Sequence, residues 1–121
     1  CVTDATAAAA MPDGQYFLGR HVVHKCAGGV RLADGTLAGS TLTMDQALRN
    51  LVDGLGLDLA EASHRVSMHA ASYLGMTDRG VLRVGALADV VVLDAQLRVR
   101  RVVVEGFSAA PLSALVSSLS T

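Results

Sequence analysis

The apolar positions divide the chain into four parts: an irregular start, a strand-rich stretch, two helices and a second strand-rich stretch. Cys1-Val2-Thr3 reads as the end of a strand running directly into Asp4 and the small residues Ala5 to Ala10. Pro12-Asp13-Gly14 is a turn signal. Tyr16-Phe17-Leu18, Val22-Val23 and Val30-Arg31-Leu32 predict short β segments across residues 15–33, with Gly19 and Gly28-Gly29 between them. Asp34-Gly35 predicts a tight turn, and residues 36–40 a loop.

The period then becomes helical. Met44, Ala47, Leu48, Leu51 and Val52 recur at helical spacing behind a Thr43/Gln46 capping-box pair, and Gly54 and Gly56 end that helix. Asp58 with Glu61 caps a second helix, whose stripe of Leu59, Ala62, Val66, Ala70 and Tyr73 stops at Gly75. Beyond Gly80 the pattern returns to strands: Val81 to Val84, Asp89 to Asp94, and Val99 to Glu105. The last two are continuous β-branched runs, which suit strands covered on both faces. Residues 108–121, rich in Ser, Ala and Leu around Pro111, read either as a short docked helix or as a frayed tail.

Composition narrows the class. A chain of 121 residues makes about one ordinary domain, and 51% hydrophobic with 17% charged residues excludes a disordered chain. Ten basic residues against eleven acidic ones give a net charge of −1 with no basic run, so no nucleic-acid partner is expected. No apolar stretch reaches the roughly 18 residues of a membrane span. Cys1 and Cys26 cannot build a disulfide framework, no signal peptide is visible, and the expected compartment is the cytosol. Because the chain opens on Cys1, its true N-terminus is expected to lie further upstream. With two Tyr, two Phe and no Trp, the core must come from Val, Leu and Ala. Such side chains bury little area each, at about 25 cal/mol per Å², so part of the apolar surface is expected to pack against something outside this chain.

Three places invite chemistry. Asp4 directly follows a hydrophobic strand, where α/β barrels carry catalytic groups. A carboxylate there can take a proton from water and return it to a leaving group, or it can simply cap a helix or line a loop. His21, His24 and Cys26 lie on one predicted strand, but His24 and Cys26 share a face that His21 does not. His64 and His69 lie about 140° apart around a regular helix, unlike the i, i+4 pair of a zinc helix. Neither histidine group is read as a metal site. The loop Gly35-Thr36-Leu37-Ala38-Gly39-Ser40 can present backbone N–H groups to an anion or a sugar, or serve as a plain β-to-α connection.

Taken together, Val2-Thr3-Asp4-Ala5, Asp34-Gly35-Thr36-Leu37-Ala38-Gly39-Ser40-Thr41-Leu42-Thr43-Met44 and Arg49-Asn50-Leu51-Val52 resemble the C-terminal third of the N-acetylglucosamine-6-phosphate deacetylase family. The order and spacing fit from residue 1 to about residue 106. Gly80-Val81-Leu82-Arg83-Val84-Gly85 and Ala88-Asp89-Val90-Val91-Val92-Leu93-Asp94 resemble a signature shared more widely among amidohydrolases. The chain departs from the family at His69-Ala70-Ala71-Ser72, where Asn-Pro-Ala-Arg is common. It also lacks the usual basic residue in Gly85-Ala86-Leu87-Ala88.

The resemblance implies an α/β fold: the C-terminal portion of an amidohydrolase (β/α)8 barrel plus strands of a small β-sandwich domain, with the barrel incomplete. Residues 1–76 would give the last barrel strand, a β insert, the loop and the helices; 77–106 the sandwich strands; 107–121 a tail. It implies hydrolysis of the acetamide of N-acetylglucosamine 6-phosphate to glucosamine 6-phosphate and acetate. Asp4 would be the general acid/base, and Leu37, Ala38 and Gly39 would lie beside the sugar. A side chain at position 39 would then enter space the substrate needs. A divalent metal, usually zinc, would polarise water and the N-acetyl carbonyl, held by a glutamate and two histidines upstream of this chain. The partners implied are the phosphorylated amino sugar, the rest of a longer chain and further copies in a homo-oligomer. These residues alone are expected to be inactive. A dihydroorotase-like or deaminase-like amidohydrolase, or a non-catalytic domain keeping the fold, is the alternative.

Overall fold

A computed structural model describes residues 1–109. The first sheet is an antiparallel meander of four strands, β1 (Gly14–Leu18), β2 (His21–Cys26), β3 (Gly29–Leu32) and β4 (Leu37–Ser40), in that order. Alternation within β2 and β3 sends Val23 and Val30 inward, where they join Ala8 and Ala38 in a small core flanked by Tyr16 and Leu32. Residues 37–40, expected to form a loop, instead pair with β3 through Gly29↔Ser40 and Arg31↔Leu37 across a bulge. The turn before them is built by Asp34, whose Oδ1 accepts the Thr36 N–H at 2.9 Å. That hydrogen bond and one from the Thr36 hydroxyl hold the Asp34 carboxyl below its ordinary range.

The N-terminal segment does not form the expected regular strand. Among the described residues it joins the sheet through one parallel bridge, Ala5↔Ser40. Its following turn, residues 7–10, is gripped by Lys25, whose Nζ donates to the carbonyls of Ala8 (3.2 Å) and Met11.

Helix α1 (Met44–Arg49) passes directly into a wider π-helical turn over Asn50–Gly54. The expected capping box is absent: Thr43 is extended but makes no side-chain cap, and Gln46 Nε2 donates to Asn50 Oδ1 instead. The Thr43 hydroxyl serves Asp45, whose carboxyl it holds below the usual range, helped by Arg49. The second helix starts as expected, with Asp58 Oδ1 accepting the Glu61 N–H at 3.0 Å. It then breaks at Ser67 (φ −136°, ψ −80°) into α2 (Leu59–Val66) and α3 (Met68–Tyr73). The break turns the buried stripe, so Ala71 is buried where Ala70 was expected, and Tyr73 is 92% exposed.

The second sheet is β5 (Val90–Leu93), β6 (Val99–Val104) and β7 (Phe107–Ser108), all antiparallel. Phe107 and Ser108, assigned to the tail from sequence, pair with β6. Residues 110–121, on which the helix-or-tail reading falls, lie outside the described residues. Burial on both faces is not found: Val91, Val92, Val99 and Val104 are exposed, because no second layer covers them among the described residues. Between this sheet and helices α1 and α2 runs an open groove of about 830 Å³, with Met44, Leu48, Val66 and Val102 in its walls. Nor do Val81 to Val84 form a strand; among the described residues they lack a neighbour to complete a ladder, and Leu82 and Val84 are exposed. Gly80 before them packs so closely on α3 that a Cβ would sit 3.0 Å from Met68 Cα.

Candidate active site

Asp4 adopts φ 51°, the left-handed region that few residues other than glycine visit, although Asp tolerates it. Its side chain is exposed. The conformation is held from β4. Ser40 N–H donates to the Asp4 carbonyl at 2.7 Å, and the Ser40 hydroxyl donates to the Thr3 carbonyl. Two residues beyond Asp4, Thr6 N–H donates to the Ser40 carbonyl at 3.0 Å. Thr3 to Thr6 thus form a short arc draped over the last two residues of β4.

Gly39 lies under that arc, also left-handed at φ 81°. A Cβ there would come 2.7 Å from Thr6 Cγ2, 3.0 Å from the Asp4 carbonyl oxygen and 3.7 Å from Asp4 Oδ2. Contacts at the first two distances force movement, so glycine is required by the chain's own packing before any ligand arrives. This adds a reason for glycine at position 39 that is independent of the sugar: an added side chain collides with the acid-bearing arc.

The other two loop positions diverge. The Ala38 side chain is buried in the first core, and Leu37 on the opposite face is 65% exposed. The structure therefore brings Asp4 and Gly39 into contact, leaves Leu37 accessible beside them, and offers only the backbone of Ala38. Ser40 and Thr6 were not singled out from sequence. A serine after Gly39 has ordinary loop composition, and only its position opposite Asp4 reveals its use.

His21 and His24 lie on β2 with opposite side-chain directions, as strand alternation requires. His64 and His69, on either side of the break at Ser67, have ring centroids 6.0 Å apart. Among the described residues no three His, Cys, Asp or Glu side chains gather where they could hold a metal ion. No helix among them is long and apolar enough to cross a membrane.

Comparison with known proteins adds context to this geometry. Residues 19–118 match the model of the amidohydrolase family. The chain is 46% identical over 106 residues to a putative N-acetylgalactosamine-6-phosphate deacetylase of Escherichia coli K12, covering 87% of this chain and 64% of that protein. It is 41% identical over 105 residues to the N-acetylglucosamine-6-phosphate deacetylase of Lysinibacillus sphaericus, covering 87% of this chain and 27% of the relative. Among solved structures, the N-acetylglucosamine-6-phosphate deacetylase of Thermotoga maritima superposes with a TM-score of 0.82 at 41% identity, over 88% of this chain and 30% of that one. A mutant enzyme from Mycobacterium smegmatis, solved with N-acetyl-D-glucosamine-6-phosphate, gives 0.78 at 39% identity over 88% and 29%. The chain thus spans less than two thirds of each of these relatives.

Proposed function

The chain belongs to the amidohydrolase family, and from that premise we propose that it supplies the acid/base group and part of the sugar pocket of an N-acetyl-amino-sugar 6-phosphate deacetylase. The carrying observation is the convergence of two separate sequence blocks, with the Asp4 backbone and carboxylate lying directly over Gly39. Asp4 takes a proton from the attacking water and delivers it to the nitrogen of the departing amine. Exposed Leu37 and the backbone of Ala38 and Gly39 border the sugar beside it.

The ligands of a divalent metal would be carried by strands outside this chain. A divalent ion such as zinc would supply polarisation of the water and the acetyl carbonyl. In that enzyme the residues up to 76 would be barrel-derived elements and the strands after them part of a small β-sandwich domain. The open groove and the bare valine face support packing against further chain of the same protein, so the isolated 121 residues are proposed to be inactive.

The sugar we propose is the glucosamine derivative. Its 4-epimer is a second reading, favoured by the higher identity to the relative named for N-acetylgalactosamine 6-phosphate. Acetate release by the full-length protein, assayed with both sugars, decides between them. In the same assay Asp4→Asn should lower turnover by at least ~10²-fold with little change in Michaelis constant, because the amide keeps the shape but cannot carry the proton. Near-normal turnover of this variant would return Asp4 to a loop role.

A further inference from the structure

We propose that Ser40 is the positioning residue of the deacetylase, fixing the direction of the Asp4 carboxylate by holding the peptide planes on both sides of it; the proposal rests on Asp4 being the acid/base group. The direction of the Cα–Cβ bond relative to the sheet, from which the carboxylate rotamer starts, is set by the two backbone torsions at Cα, and each torsion is set by one flanking peptide plane. Ser40 holds both planes. Its hydroxyl donates to the Thr3 carbonyl, which belongs to the plane before Asp4. Its N–H donates at 2.7 Å to the Asp4 carbonyl, which belongs to the plane after it.

The hydroxyl is itself aimed, because Ser40 Oγ also accepts the Leu42 N–H at 3.0 Å, leaving its proton to point at Thr3. The Ser40 carbonyl secures the far end of the arc by accepting the Thr6 N–H at 3.0 Å and the Thr6 hydroxyl at 3.4 Å. Asp4 needs this grip more than an ordinary residue, since φ 51° is a minority conformation that relaxes to negative φ when unsupported. That relaxation would carry Cβ and the carboxylate away from Gly39. Displacement of a reacting group by about 1 Å costs up to ~10²-fold in rate.

Replacing the serine by alanine removes the hydroxyl and leaves the backbone bonds, so it releases the plane before Asp4 alone. In the full-length protein Ser40→Ala is expected to lower kcat ~10-fold or more with little change in KM, and Ser40→Thr, which restores the hydroxyl, to recover most of it. The decisive measurement is a double-mutant cycle. A residue that acts only through Asp4 loses its effect once Asp4 cannot transfer a proton, so Asp4→Asn/Ser40→Ala should be no slower than Asp4→Asn. Multiplying losses in the double variant would overturn the positioning role while leaving Asp4 as the acid/base group. Asp4→Asn with normal turnover would instead overturn the premise. If Ser40→Ala does not fold, Ser40→Cys keeps the volume with a much weaker donor, and the same cycle is read on it.

Discussion

Two sheets of similar chemistry end in opposite states. In the first, β2 and β3 alternate, and Val23 and Val30 are fully buried against Ala8 and Ala38. In the second, β5 and β6 are almost continuous in valine, yet Val91 is 54% and Val104 50% exposed. Alternation asks for one covering layer, and Ala8, from the segment before β1, supplies it locally. A continuous run asks for two, and the described residues provide less than that. The chain therefore closes its own core where Asp4 is held and leaves open the sheet farther along the sequence. The second sheet is joined to the helices in part by Arg49, whose Nη1 donates to the Leu97 carbonyl at 3.0 Å while Nη2 pairs with Asp45 at 2.8 Å.

The contrast can be broken hardest at Gly39. Gly39→Val places a β-branched residue at φ 81° against Thr6 and the Asp4 carbonyl. It should destabilise the first sheet by ~2–4 kcal/mol and remove activity with it. Urea unfolding followed by circular dichroism reads the loss. An unchanged midpoint would mean that the arc does not lie on β4. A smaller effect sharpens the comparison. In the 121-residue chain by itself, Val30→Ala hollows a fully buried site and should cost about 2 kcal/mol, whereas Val91→Thr on the open face should stay within ~0.5 kcal/mol. Equal costs at the two positions would show that the second sheet is covered after all.

How much of this was legible without coordinates varies with the physical cause. The β1–β3 meander, the Asp58 cap and the valine strands follow from periodicity and capping chemistry, which act locally. The break at Ser67 left no such mark, since neither glycine nor proline stands there and the apolar stripe runs through it. Leu37–Ser40 looked like a loop because Leu-Ala-Gly-Ser has little β propensity; the unpaired edge of β3 makes it a strand. Val81 to Val84 failed in the opposite sense, with good propensity and no partner. At the site, family resemblance rather than pattern joined Asp4 to Gly39. The role of Ser40 depends on a contact between residues 37 positions apart, which no local reading contains.

That separation sets an order of assembly. The meander from β1 to β4 closes through short turns, while the arc can dock only after β4 exists and after the intervening chain gives up its loop entropy. The acid is thus expected to be the last part of the first sheet to arrive and the first to leave during local opening. Native-state hydrogen exchange should find the Thr6 and Ser40 amides exchanging ahead of the bonded amides of β2 and β3, and the reverse order would contradict this sequence of events. A group that must be aimed for chemistry is seated by the slowest-closing contact of its sheet, so the fraction of molecules ready to react is a finer quantity than the fraction folded.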